Sequence, residues 1–167
     1  MNQSLVKDLF TYKDGNLYWN DDRGTNKLKG KKAGYINKIK SKKAGSYQQR
    51  AVIGIKGKMH LAHRLIYLYH HGFLPEVIDH KDGNPLNNKI ENLRECTQTQ
   101  NCQNKMKVSD TPGAKGVSWH ELNKKWYVRL RIDGIRRYFG SFDDLELASL
   151  VADEARAKYH GEFARNA

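Results

Sequence analysis

Residues 77 to 101 read Val-Ile-Asp-His-Lys-Asp-Gly-Asn-Pro-Leu-Asn-Asn-Lys-Ile-Glu-Asn-Leu-Arg-Glu-Cys-Thr-Gln-Thr-Gln-Asn, a stretch that gathers a carboxylate, an imidazole and several amides. That mixture suits metal-assisted attack of water on a phosphodiester. The attack needs a base that is neutral near working pH, and imidazole, with an ordinary pKa of about 6.5, meets that need at His80. A cation that stabilises charge on phosphate and leaving oxygen needs hard oxygen donors and no redox activity, and Asp79 with Asn101 could supply them. Two protein oxygens would leave positions open for water and phosphate.

The surrounding pattern says how these groups come together. Residues 77–79 read as a strand, 81–92 as a wide loop and 93–96 as the returning strand. Thr97 can then cap a helix whose third position is Gln100, the reciprocal capping arrangement. Asn101 lies near the start of that helix, so the chain can fold it back over Asp79 and His80. Upstream, residues 61–72 carry Leu61, Leu65, Ile66 and Leu68 at helical spacing, with Gly72 placed to end the helix behind the Asp-His unit. His60, His63, His70 and His71 fall on different faces of that helix without an added carboxylate, which weighs against zinc. His63 and Arg64 read instead as packing residues or phosphate contacts.

The chain of 167 residues carries 30 Lys and Arg against 18 Asp and Glu, a formal net charge of +12 that points to a polyanionic partner. Residues 23–75 contain no acid, while Lys27, Lys29, Lys31, Lys32, Lys38, Lys40, Lys42, Lys43, Arg50, Lys56, Lys58 and Arg64 accumulate. Interleaved Tyr35, Ile36, Ile39, Tyr47, Val52, Ile53 and Ile55, broken by glycines, predict short strands in a small basic β-lobe. Residues 9–19 read as a hairpin turning at Asp14-Gly15. Cys96 and Cys102 form no CxxC pair, which fits a reducing compartment. No run approaches the roughly 18 apolar residues of a membrane span, and the first residues lack the apolar core of a signal peptide. The expectation is a soluble, cytoplasmic protein with no membrane partner.

Residues 105–115 are polar and include Asp110-Thr-Pro-Gly, a linker signal. Beyond it, residues 116–120, 125–133 and 135–140 read as three strands, the last two joined by Asp133-Gly134, and 143–159 as one amphipathic helix. Alternation puts Trp126, Val128, Leu130 and Ile132 on one face of the middle strand and Tyr127, Arg129 and Arg131 on the other. Arg136 and Tyr138 on the next strand can lie beside those arginines, forming a surface for phosphates and guanine edges in a major groove. By the same alternation Trp119 sits with Val117 toward the helix and is expected in the core.

Asp79-His80, Asn84, Asn87-Asn88, Asn92-Leu93-Arg94 and Asn101 with Asn104 together resemble the HNH nuclease family, most closely its phage and intron-encoded homing endonucleases. The resemblance implies a ββα-metal unit over about 61–104, His80 as general base, and Asn92 bracing the loop through side-chain to backbone hydrogen bonds. It further implies Asn101 in the last motif position, sharing one Mg²⁺ or Mn²⁺ with Asp79, and ends carrying 5′-phosphate and 3′-hydroxyl. Many members have histidine where Asn101 stands, and some carry zinc-binding CxxC pairs that this chain lacks. From residue 115 onward the chain resembles the Apetala-two, or ethylene-response-factor, DNA-binding domain, through Gly116-Val-Ser-Trp, Trp126-Tyr-Val-Arg-Leu-Arg and Tyr138-Phe-Gly-Ser-Phe. That likeness implies Arg129, Arg131, Arg136 and Tyr138 as DNA contacts.

The combined expectation is an α+β chain with a β-rich basic lobe at 1–58, an HNH unit at 59–107, a linker at 108–115 and a DNA-binding module at 116–167. Its function would be site-directed cleavage of double-stranded DNA, with Tyr127, Arg64, Lys42 and Lys43 as additional DNA contacts, Mg²⁺ or Mn²⁺ and no zinc. A monomer would nick, and a homodimer or sequential nicking would break both strands. The alternative is a DNA-binding regulator whose nuclease unit is only structural.

Overall fold

The computed structural model describes residues 1–22, 26–40, 47–104 and 112–164. Chain contacts divide it into two compact units, Met1–Cys96 and Thr97–Ala167, both of mixed α and β structure. Among the described residues no helix is long and apolar enough to cross a membrane.

The first unit begins with a helix that the sequence reading did not anticipate, α1 (Gln3–Leu9). The Asn2 side chain caps it by accepting from the Leu5 N–H at 3.1 Å, and it buries Val6 completely. It runs straight into β1 (Phe10–Lys13), which pairs with β2 (Asn16–Trp19) across a tight turn. Asp14 (φ 45°) and Gly15 (φ 76°) both take left-handed backbone there, the type I′ geometry that matches strand twist. β3 (Tyr35–Lys40), β4 (Tyr47–Ile55) and β5 (Lys58–Leu61) form an antiparallel sheet in chain order.

α2 (Ala62–His71) follows, and Gly72 (φ 80°) ends it by returning its N–H to the Leu68 carbonyl at 3.0 Å. β6 (Val77–His80) and β7 (Leu93–Cys96) then form a separate hairpin. One apolar cluster joins these parts: Val6, Phe10, Leu17, Trp19, Ile53, Ile55, Leu65, Ile66 and Leu68 pack with Ile78 and Leu93. Burying each large side chain of this kind is worth about 1.5–3 kcal/mol. Ile78 and Leu93 therefore anchor the hairpin whose other residues carry the candidate chemistry.

The second unit opens with α3 (Gln98–Gln103). Thr97 accepts from the Gln100 N–H, and the Gln100 side chain accepts from the Thr97 N–H at 2.7 Å. β8 (Val117–His120), β9 (Lys125–Ile132) and β10 (Ile135–Phe142) form an antiparallel sheet with β9 in the centre. Asp133 and Gly134 turn β9 into β10, and a bulge between Tyr138 and Gly140 shifts the register. α4 (Leu145–His160) is capped by Asp144 and lays Ala148, Ala152 and Ala155 against Val117, Val128, Leu130 and Ile132.

Trp119 is not in this core. It is 40 % exposed, lies 5.0 Å from the Trp126 ring centroid, and donates its indole N–H to Glu121 Oε2 at 2.7 Å. Alternation fixes the side of the sheet a residue takes but not how far the covering helix reaches, and an indole with a nearby carboxylate is satisfied at the rim.

Candidate nuclease site

β6 and β7 pair so that Asp79 lies opposite Arg94 and His80 opposite Leu93. Leu93 points into the core, so Arg94 takes the other face and reaches Asp79. Both its Nε and its Nη2 stand 2.9 Å from Oδ2, and the carboxylate is only 5 % exposed. The sequence reading missed this pair, although hairpin register alone would have placed the two side by side.

The loop from 81 to 92 is held by its amides. The Asn92 amide donates to Asp82 Oδ1 at 2.9 Å and to the Asn87 carbonyl at 2.7 Å, while its oxygen accepts from the Asp82 N–H at 3.0 Å. Asp82 also accepts from the Asn84 N–H at 2.8 Å and the Asn87 amide at 2.6 Å. Partial burial pushes the Asp82 carboxyl up, but the bonds from Asn87, Asn84 and Asn92, with the nearby His80, outweigh it and hold the group below its ordinary pKa. Asp82 is thus an ionised hub around which the loop is tied.

The β1–β2 turn supports this loop from behind. Tyr12 Oη accepts from the Ile90 N–H at 3.1 Å, at the start of the one-turn 3-10 helix Ile90–Asn92. A Cβ on Gly15 would meet the Lys89 nitrogen at 2.8 Å and the Asn88 carbonyl carbon at 3.0 Å, so glycine there answers both to its backbone angle and to close approach.

His80 ends β6, half-buried, with Nε2 2.9 Å from Oδ1 of the buried Asn88. The His63 ring from α2 packs edge-on against it, with centroids 5.2 Å apart. Burial first, and then His80, Arg50 and Arg64, lower the His63 pKa to about 3, so His63 is a neutral packing partner at working pH. Arg64, expected as a phosphate contact, donates to the carbonyls of Pro75 and Glu76 at 3.1 and 3.2 Å and braces the α2–β6 connection. Lys42 and Lys43 lie outside the described residues.

In the second unit Asn101 lies on α3, its N–H bonded to the Thr97 carbonyl at 3.0 Å. On the sheet, Arg129 stands opposite Tyr138 and Arg131 opposite Arg136. The Arg129 guanidinium lies 4.8 Å from the Tyr127 ring centroid, Tyr138 is 5.6 Å from Tyr127, and His120 stacks on Tyr127 at 4.5 Å and 11°. These side chains share the face turned away from α4. Among the described residues no group of three or more His, Cys, Asp and Glu gathers as a metal cage.

A family model described as HNH endonuclease matches residues 60–103, the span from the end of β5 through α3. The chain is 39 % identical over 89 residues to protein 3.8 of Escherichia phage T7, covering 53 % of this chain and 73 % of that protein. It is 30 % identical over 140 residues to the DNA endonuclease I-HmuI of Bacillus phage SP01, covering 75 % of this chain and 79 % of that protein. A third relative, the uncharacterized HNH endonuclease L560 of Acanthamoeba polyphaga mimivirus, is 37 % identical over 111 residues; these cover 65 % of this chain and 57 % of that protein. No solved structure matches the chain significantly.

Proposed function

Because the chain belongs to the HNH endonuclease family, we propose that it is a homing-type endonuclease that hydrolyses phosphodiester bonds of double-stranded DNA. The observation that carries this reading is His80 itself, half-buried at the end of β6, next in the chain after the buried Asp79 and bonded at Nε2 to Asn88 Oδ1. In that role the imidazole removes a proton from water as the water oxygen bonds to phosphorus. The bond from phosphorus to the 3′ oxygen breaks, its electron pair stays on that oxygen, and a solvent water protonates it, leaving 5′-phosphate on one end and 3′-hydroxyl on the other. Asn92 keeps the loop closed while this happens, through its bonds to Asp82 and Asn87.

The family uses a divalent metal, and Asp79 supplies the hard oxygen donor such an ion prefers. Few protein donors suit a cation that keeps most of its water and takes the rest of its shell from phosphate. We assign the donors as Asp79 and, from its place after His80 in the chain, Asn101, with Mg²⁺ or Mn²⁺ as the ion. When bound, the cation would offset charge on the phosphate and the departing oxygen.

We assign DNA contact to Tyr127, Arg129, Arg131, Arg136 and Tyr138. Like charges directly opposite on adjacent strands oppose folding, and the Arg131–Arg136 pair makes sense on a surface that meets phosphates. Lys42 and Lys43 join them as contacts on sequence grounds alone. The ion pair between Asp79 and Arg94 is what favours the second reading, a DNA-binding protein whose nuclease unit only supports the fold.

A supercoiled plasmid library of random genomic inserts separates the two. The endonuclease would convert susceptible members to open-circular or linear form with Mg²⁺ and leave them intact with excess EDTA. A library that is bound but uncut with both Mg²⁺ and Mn²⁺ would establish the regulator instead.

A further inference from the structure

We propose that Asn88 is the positioning residue for His80, fixing which imidazole nitrogen carries hydrogen and in which plane the ring lies. The proposal rests on the reading of His80 as the base. Asn88 Oδ1 stands 2.9 Å from His80 Nε2, and an amide oxygen only accepts, so Nε2 is the protonated nitrogen. Proton removal from water then belongs to Nδ1.

The amide is itself held firmly. Asn88 is 4 % exposed, and its backbone N–H donates to the Leu86 carbonyl at 3.1 Å. Asn92 binds the neighbouring Asn87 carbonyl at 2.7 Å, and the Gly15 turn closes against Asn88 and Lys89. A histidine ring left to itself has two broad orientations about its terminal torsion, which exchange Nδ1 with a carbon. The Asn88 bond selects between them, while the neutral His63 ring, 5.2 Å away, limits tilt. The amide oxygen also stabilises the imidazolium formed when the base takes its proton.

The test combines two-bond ¹H–¹⁵N NMR of His80, without added metal, with single-turnover cleavage at saturating DNA. In the wild type, Nε2 should appear protonated, with an N–H protected from rapid exchange. Asn88→Asp keeps an acceptor and should retain that signal. Asn88→Leu should lose the protected N–H and cut about 10- to 100-fold more slowly, with the DNA dissociation constant unchanged, the usual scale for losing a supporting hydrogen bond. A bare Nε2 in the wild type overturns the proposal, and so does an Asn88→Leu protein that keeps both the signal and the rate. If the leucine variant does not fold, loss of the N–H signal in Asn88→Asp overturns it equally. Failure of the base assignment reads differently: His80→Ala would still cut, while the NMR result would stand.

Discussion

Asp79 and Arg94 face one another across the β6–β7 hairpin and close an ion pair of 2.9 Å with the carboxylate 5 % exposed. A charge this deeply withdrawn from water is tolerated because its partner is there. Replacing Arg94 by Leu removes this ion pair from a buried carboxylate, and should lower unfolding stability by about 3–5 kcal/mol in urea titration. The double variant Asp79→Leu, Arg94→Leu should lose less than the two single changes added together. Additive losses would mean that the pair contributes no coupling.

His63 gives a pH dependence with a definite sign. Its folded-state pKa of about 3 lies below the unfolded value of 6.5, so the unfolded chain takes up a proton first as pH falls. The contribution is full above pH 6.5 and is lost steadily toward pH 3, about 2 kcal/mol of it by pH 5. The groups facing the ring are His80 from β6, Arg50 from β4 and Arg64 beside it on α2, all of which oppose its protonation. Unfolding free energies at pH 7 and pH 5 should therefore differ more in the wild type than in His63→Phe. Equal differences would show that His63 titrates normally.

Much of this arrangement could be read directly from the chain. Asp-Gly pairs at 14–15 and 133–134 announce their turns because few other residues take two left-handed angles in a row. Thr97 and Gln100 announce α3 through their reciprocal bonds. What stayed hidden depends on partners distant in sequence or on depth. α1 has only seven residues and is stabilised by Val6 in a core assembled from later strands, so its own pattern is too short to declare it. The bonds from Arg64 to the Pro75 and Glu76 carbonyls, eleven and twelve positions on, depend on how the chain returns after α2. Trp119 showed its side but not its exposure, and nothing in the local pattern linked Asn88 to His80, eight positions earlier.

Asn92 is the tie that holds the loop. Substituting Ala removes bonds to Asp82 and to the Asn87 carbonyl, leaving a part-buried carbonyl and a backbone N–H to find water. A loss of about 1–3 kcal/mol is expected. Hydrogen exchange should quicken at the Asp82 amide while amides of β9 are unchanged. Unaltered exchange at Asp82 would show that the loop is held by other means.

The sheet in the second unit should show its purpose in salt dependence. Arg131→Ala and Arg136→Ala are each expected to weaken DNA binding across all sequences and to reduce the slope of log affinity against log salt by about one. Without DNA, each change should leave stability equal or slightly raised, because it relieves a like-charge pair. Destabilisation with unchanged DNA affinity would assign these arginines to the fold.

The central claim is that His80 removes the proton from the attacking water, and a single-turnover comparison on a cleavable DNA duplex with Mg²⁺ tests it most directly. His80→Ala should cut at least about 100-fold more slowly than the wild type, the scale of a lost general base, while binding the duplex with the same affinity. Cleavage by that variant at the wild-type rate would contradict the account.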